Sequence, residues 1–348
     1  MSRLPRRTPM RSLVLAATCS AAIAGGLVAC SSGPDEDAGA SPPGTDGAPL
    51  GELWRNPEGH AVVAAEQAEA QGRTAEAEAL APLADQPTAT WFANPGDPYP
   101  AVEQVSSTAD AAGQTPVLVA YHVPDRDCHS FSSGGAADAE SYLAWMGSFA
   151  AALGDRPAVV VLEPDAVAQT IVGCEGVQPA ERYQLLAQAV DILEKQPQVR
   201  TYLDAGNSAW ITDLPVLAAA LRSSGVDNAD GFAVNVSNFQ STDDSATFGL
   251  ALSRELERGG QPGTPAASFV VDTSRNGAGE PPANGPGTTA WCNPPGRRLG
   301  EAPSTDSDRE RVDALLWIKQ PGDSDGTCAG GPPAGQWWPE AAFALTAD

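Results

Sequence analysis

The chain has few basic residues and very few histidines. Its 348 residues include 20 Lys and Arg against 44 Asp and Glu, which gives a formal net charge of −24. A chain this acidic lacks the basic surface that binds nucleic acid, so we expect no nucleic acid partner. The three histidines are His60, His122 and His129. So small a number argues against a histidine-based zinc site.

Closely spaced cysteines are also absent. The chain has six cysteines, and the C-x-x-C spacing typical of a zinc site does not occur. In an oxidising compartment, the four beyond residue 30 favour two structural disulfides, for which three pairings are possible. Sequential pairing would close two local loops. These four are Cys128, Cys174, Cys292 and Cys328.

The first thirty residues indicate export. Four arginines precede an apolar run at 13–29 that contains no acidic residue, as in a secretory signal peptide. The run ends at Leu27-Val28-Ala29-Cys30, which resembles a lipoprotein cleavage box. We therefore expect a lipoprotein signal peptide at 1–29, lipid attachment at Cys30 and a secreted, cell-surface protein held to a membrane. Ordinary cleavage with full release is the alternative. Loss of the four arginines would change the formal charge from −24 to −28.

Composition divides the rest of the chain into two parts. Residues 30–51 are mainly Gly, Pro, Ser, Asp and Ala, which predicts a disordered tether. Residues 52–348 alternate short apolar blocks with amphipathic stretches, and one large α/β domain can hold that length.

The apolar blocks predict strands that are buried on both faces of a parallel sheet. Helical patterns at 139–153 and 180–195 lie between some of them, so strand and helix alternate. We therefore expect an α/β fold with seven parallel strands. The predicted strands are 89–93, 117–121, 158–163, 200–204, 231–234, 268–272 and 314–319.

Acidic residues follow most of the predicted strands. In a closed parallel barrel the carboxyl ends of all strands share one rim, so these side chains would converge there. Asp165 follows a buried apolar run and Pro164, and we expect it to hold its proton more tightly than in water, as a general acid must. Asp127, beside Arg126, is placed to be a second carboxylate. For each acid alone, a salt bridge or a turn cap is the alternative.

Seven segments taken in order resemble glycoside hydrolase family 6, which contains endo-β-1,4-glucanases and cellobiohydrolases. The resemblance extends over residues 91–343. The segments are YHVPDRDC at 121–128, EPD at 163–165, LDAGNSAW at 203–210, NVSN at 235–238, DTSRNG at 272–277, WCN at 291–293 and WIKQPGDSDG at 317–326.

The resemblance implies an inverting hydrolase on a distorted seven-stranded (β/α) barrel, a variant of the TIM barrel, with no metal or organic cofactor. Asp165 would be the proton donor. Asp127 would raise the pKa of the donor, with help from Tyr121 and Arg126. Asp325 would be the base, acting directly or through a water chain. Inversion would place acid and base about 6.5–9.5 Å apart.

The resemblance also implies substrate contacts and the two disulfides of the family. Trp54 lies on a segment that matches a sugar-contacting segment, with packing at a domain edge as the alternative. The other implied contacts are Asn207, Trp210, Asn235, Trp291, Lys319 and Asp323.

Three positions depart from the family pattern. Asn207 replaces a histidine, Asp323 a glutamate and Phe239 a common tyrosine. All three lie in substrate-contacting segments, so they bear on substrate preference more than on reaction type.

Functions other than an endo-β-1,4-glucanase fit the sequence less well. Residues 322–326, GDSDG, fit G-x-S-x-G, but neither a helical pattern nor a histidine follows, which excludes a serine hydrolase. Short loops after Asp165 and Trp291 favour an open cleft and internal cleavage over a cellobiohydrolase. A non-catalytic oligosaccharide-binding lipoprotein is the alternative outside enzymes. We expect a monomer that binds β-1,4-glucan or cello-oligosaccharides.

Overall fold

The computed structural model describes residues 50–260, 266–281 and 290–347. The expected signal peptide, the lipid site at Cys30 and all but the end of the tether lie outside these residues. Leu50, which we placed in the tether, is buried against the strands. No helix in the described ranges is long and apolar enough to cross a bilayer.

Helices and strands alternate through most of the described chain. The strands are β1 Thr90–Phe92, β2 Val117–Ala120, β3 Ala158–Leu162, β4 Val199–Asp204, β5 Gly231–Val234, β6 Ser268–Asp272 and β7 Val312–Leu316. The helices are α1 His60–Ala70, α2 Thr74–Ala84, α3 Tyr99–Ala111, α4 Ala139–Leu153, α5 Ala166–Val172, α6 Pro179–Leu193, α7 Leu214–Ser223, α8 Thr242–Gly259 and α9 Pro339–Thr346. Between β6 and β7 the described residues form no helix.

The seven strands form one parallel sheet in chain order. The two edge strands are drawn together beyond the ladders, because Ala89 N–H donates to the carbonyl of Trp317 at 2.9 Å. The indole of Trp91 donates to the carbonyl of Ile318 at 2.8 Å. The sheet therefore curls into a distorted (β/α) barrel, and the predicted fold is confirmed.

Alternate residues of each strand pack on opposite faces of the sheet, as the strand period requires. In β2, Val117 and Val119 join the inner cluster, while Leu118 and Ala120 pack against the surrounding helices. All four are buried. Burial on both faces explains why these strands are continuous apolar runs in the sequence.

The last strand differs most from its predicted bounds. The predicted strand 314–319 is β7, Val312–Leu316, so its three final residues lie beyond the ladder. The N–H groups of Ile318 and Lys319 donate instead to the Asp272 carboxylate, at 3.3 and 3.0 Å. The hydrogen-bond acceptor of these two N–H groups is therefore a buried side chain and not a neighbouring strand. A pattern of apolar residues does not predict where a strand's hydrogen-bond ladder ends.

Both disulfides join sequential cysteines. Cys128 bonds to Cys174 and Cys292 bonds to Cys328, with Cα atoms 5.5 and 6.2 Å apart. This confirms the pairing implied by the resemblance. The first ties the loop after β2 to the segment after α5, and the second ties the loops after β6 and β7.

Candidate active site

The carboxyl ends of the strands line one open cleft of about 1250 Å³. Asp127, Asp165 and Asp325 all lie on its wall, although they are far apart in the sequence. Tyr121 and Arg126 line the same cleft. The structure thus brings together all five residues that were expected to take part in the chemistry.

Asp165 comes directly before α5 with a left-handed backbone, φ 70°. Its N–H donates to Oδ2 of Asp204 at 2.8 Å. Burial, together with the nearby charges of Asp204 and Asp127, raises the pKa of Asp165 well above its usual range. The shift favours the protonated form of the carboxyl group, which is the form that a proton donor needs.

Asp204 is the neighbour that matters most for this donor. It ends β4, is fully buried, and accepts N–H hydrogen bonds from Asp165 and Gly206. Burial raises the pKa of Asp204 to about 7. In the sequence, Asp204 is one of several acidic residues at the ends of the predicted strands. Because β3 pairs with β4, Asp204 lies beside Asp165. The sequence of one strand does not predict which strand pairs with it.

Asp127 lies in a turn after β2, also with a left-handed backbone, φ 58°. One carboxylate oxygen accepts from Ser132 N–H at 2.7 Å and the other from the Gln169 amide at 3.0 Å. Burial raises the pKa of Asp127, while these hydrogen bonds and Arg126 oppose the rise.

Arg126 fixes the Asp127 turn through backbone contacts. Its guanidinium donates to the carbonyls of Ala93, Tyr121 and Ser132 at 2.7–2.8 Å. It also lies over the Tyr121 ring, 4.7 Å from the centroid. No ion pair joins Arg126 to Asp127 in the described chain, so its effect on the carboxylate is exerted from a distance.

Asp325 is in the opposite electrostatic state. Arg275 donates to its Oδ2 at 2.9 Å, and the Lys319 ammonium lies 3.1 Å from its Oδ1. Burial would raise the pKa of Asp325, but these two cations and the Asn293 N–H hold it below its usual value. At pH values between the two pKa values, Asp325 is therefore ionised while Asp165 is protonated.

Glu163 is a supporting residue that the sequence reasoning missed. Its carboxyl oxygens accept the N–H groups of His122 and Val123 at 2.9–3.1 Å, and these residues lead into the Asp127 turn. Arg182 on α6 donates to the carbonyl of Pro124 in the same segment. Burial raises the pKa of Glu163 to about 7. Its position two residues before Asp165, at the end of a buried strand, was the available signal.

Most of the expected substrate positions also line the cleft. Trp291 is among the more exposed aromatic residues, and its ring packs near Phe131 with centroids 5.9 Å apart. Trp91, which sequence reasoning did not single out, lines the cleft with its ring edge toward Tyr121. The expected positions in the cleft wall are Asn207, Trp210, Trp291, Lys319 and Asp323.

Two expected substrate contacts lie elsewhere. Asn235 is fully buried, and its side chain bonds the carbonyl of Asp272 and the backbone of Gln240, so it shapes the turn after β5. Trp54 is buried, and its N–H donates to the carbonyl of Thr115 just before β2, at the amino ends of the strands. Neither residue lines the cleft. For Trp54 the packing alternative fits the structure.

Comparison with known proteins agrees with this geometry. The model of the family "Glycosyl hydrolases family 6" matches residues 50–348. Endoglucanase 1 of Streptomyces sp. (strain KSM-9) is 41% identical over 268 residues, which are 76% of this chain and 70% of that protein. Endoglucanase A of Cellulomonas fimi is 43% identical over 270 residues, which are 76% of this chain but only 55% of that protein.

A solved structure supports the same grouping. The endoglucanase Cel6 from Mycobacterium tuberculosis, in complex with methyl-cellobiosyl-4-deoxy-4-thio-β-D-cellobioside, superposes with a TM-score of 0.76 at 38% identity. The match covers 86% of this chain and 98% of that one. The chain belongs to glycosyl hydrolases family 6, and it is a glycoside hydrolase.

The buried acids predict how stability depends on pH. A carboxyl whose pKa is raised by folding stabilises the protein fully below its ordinary pKa, and that stability is lost as pH rises through the folded value. For Glu163 this window runs from 4.5 to about 7. Glu163→Gln removes this titration, so its thermal unfolding midpoint should fall less than that of the unaltered protein between about pH 5 and about pH 7.5. Parallel midpoint curves for the two proteins would contradict the assignment.

Proposed function

We propose that the protein is an inverting endo-β-1,4-glucanase of the cellulase type, exported and held at the cell surface by a lipid on Cys30. One observation carries the mechanism: a single cleft holds Asp165 with a raised pKa and Asp325 with a lowered pKa. Glycoside hydrolysis needs one carboxylic acid and one carboxylate on the two sides of the scissile bond.

In this mechanism Asp165 protonates the glycosidic oxygen as the bond to the sugar breaks. Asp127 and Asp204 disfavour the ionised form of Asp165, which keeps the proton on Asp165 until negative charge develops on the glycosidic oxygen and favours recovery of a proton from solvent afterwards. Asp325 remains a carboxylate and guides the attacking water, taking its proton directly or through a second water. The sugar product then has the opposite anomeric configuration.

The contacts of Asp325 favour water over a covalent intermediate. A nucleophilic carboxylate needs a free oxygen to bond the anomeric carbon. Here the Lys319 ammonium holds Oδ1, while Arg275 and the Asn293 N–H hold Oδ2. These contacts stabilise charge and lower nucleophilicity, which supports inversion.

An endo mode of attack is supported by the cleft and by the relatives. Helix α5 starts directly after Asp165, which leaves no long loop at that point to cover the cleft. The two relatives compared above are both named endoglucanases. An open groove accepts the middle of a chain, whereas a roofed groove admits only an end.

Export is supported by the two disulfides, since such bonds persist in oxidising compartments.

We predict that a radioactive or alkyne-tagged fatty acid fed to producing cells labels the protein, and that Cys30→Ser abolishes the label. Labelling that survives this change would place the lipid elsewhere. An unlabelled protein found free in the medium would support full release, and its elution on gel filtration tests the expected monomer.

Asp165→Asn tests the proton donor. We expect kcat on unactivated β-glucan to fall by about 10²–10⁴-fold, because general acid catalysis typically contributes that much. Affinity for cello-oligosaccharides, measured by calorimetry, should change little. An aryl cellobioside should retain more activity, since its leaving group does not need a proton. Asp110→Asn, which removes an exposed acid on α3, is the matched control. Loss of folding or binding together with turnover would mark Asp165 as structural.

Digestion of two substrates tests the stereochemistry and the mode of attack. Proton NMR of cello-oligosaccharide cleavage should show the α-anomer first, because water attacks the face opposite the leaving group. Carboxymethylcellulose should lose viscosity early, while few reducing ends have formed. A β-anomer would exclude inversion, and slow viscosity loss would indicate a cellobiohydrolase. Binding without any release of reducing ends would favour the receptor alternative.

A further inference from the structure

His60 and Asp323 form a pair on the cleft wall that the mechanism above does not use. His60 is the first residue of α1, and Asp323 lies after β7 on the loop that carries Asp325. Nδ1 of His60 lies 2.8 Å from Oδ1 of Asp323. Both residues line the cleft. Residues from the two ends of the domain thus meet beside the base.

The two side chains differ sharply in exposure. The Asp323 side chain is only 8% exposed, whereas that of His60 is 47% exposed. Within the described chain, His60 is the one hydrogen-bond partner of the Asp323 carboxylate. Oδ2 of Asp323 and Nε2 of His60 therefore remain available to a ligand that occupies the cleft.

The hydrogen bond to Asp323 is the contact that orients the imidazole. The Asn56 amide, just before α1, donates to Thr90 Oγ1 of β1 at 3.1 Å, which ties the start of α1 to the sheet. The ring lies near Trp337, with centroids 6.4 Å apart, and Trp337 forms a β-bridge with Asp323. The hydrogen bond to Asp323 limits how far the ring must reorient when a ligand binds.

We propose that His60 is a positioning and specificity residue that binds the hydroxyl groups of one glucosyl unit together with Asp323. Nδ1–H holds the carboxylate, Nε2–H donates to one hydroxyl, and Oδ2 of Asp323 accepts from a neighbouring hydroxyl. The inference rests on the proposed glucan substrate. It assigns to His60 a contact with sugar that is separate from proton transfer at Asp165.

The protonation state of His60 gives this contact a pH dependence. The hydrogen bond to Asp323 raises the pKa of His60 although burial opposes the rise. Among the packed neighbours Asp323 carries the charge, and Trp337 is uncharged. Below that pKa both ring nitrogens donate, and above it Nε2 becomes an acceptor while Nδ1–H stays on Asp323. Substrate affinity should therefore weaken as pH rises through the pKa of His60.

Two substitutions separate the two ring nitrogens. His60→Asn places an amide N–H near the position of Nδ1, which keeps the Asp323 contact and removes Nε2. His60→Ala removes both. With cellohexaose we expect KM to rise roughly threefold in His60→Asn and roughly tenfold in His60→Ala, as one and two lost hydrogen bonds imply. Because neither change touches Asp165 or Asp325, kcat should stay within about twofold.

The pH profile and a matched control complete the test. KM of the unaltered protein should rise as pH increases above 6.5, the ordinary pKa of histidine, because the pKa of His60 is raised, while KM of His60→Asn stays flat. Glu66→Ala, an exposed change on α1, should match the unaltered protein. Equal KM values in all proteins, a loss confined to kcat, or full restoration of KM and its pH profile by His60→Asn would each overturn the proposal.

The proposed function can fail separately from this inference. If the unaltered protein releases no reducing ends from any β-glucan, the proposed hydrolysis fails. Calorimetric Kd values for cellohexaose would still rank the His60 variants. If the unaltered protein cleaves glucan and the variants bind it equally well, only the role of His60 fails.

Discussion

The hydrogen-bonded contact between Asp165 and Asp204 is the constraint on which the site depends. Two carboxyl groups buried at the ends of neighbouring strands cannot both ionise without large cost. The register of β3 and β4 forces them together, and the Asp165 N–H bonds Asp204 directly. Ionisation of the pair is therefore opposed, and the pKa of each carboxyl group is raised. The acid strength of Asp165 is a property of two strands and their burial, and not of that residue alone.

The turns at the carboxyl ends of the strands have strained backbone conformations. Asp127, Glu163, Asp165 and Asn235 all have φ values between 48° and 70°, a region that non-glycine residues seldom occupy. Buried hydrogen bonds hold each turn, from Glu163 to the segment before Asp127 and from Asn235 to the turn after β5. The apolar layers below are rigid enough to support these turns. Backbone geometry therefore directs the Asp127 and Asp165 carboxyl groups, which leaves little to side-chain freedom.

Apolar runs predicted the sheet well, because most strands are buried on both faces and form continuous apolar blocks in the sequence. They could not predict Glu163 or Asp204 as partners, since those contacts depend on register and burial across strands. Motif positions placed Asn235 and Trp54 at the substrate, but a matching position does not report which way a side chain points. No role was predicted for His60 for a related reason: its partner Asp323 lies at the other end of the domain and meets it only where the curled sheet brings the two ends together.

The placement of cations explains how two carboxyl groups in one cleft hold opposite states in a protein of net charge −24. On the base side, Arg275 and Lys319 contact Asp325 directly, so ionisation is favoured there despite burial. On the acid side the nearby cation is Arg126, and three backbone carbonyls occupy its guanidinium. Burial and the nearby charges of Asp204 and Asp127 all raise the pKa of Asp165, which favours its protonated form. The other acidic residues on the surface have little effect on these two pKa values, because solvent screens their charges. Charges inside the cleft are screened less.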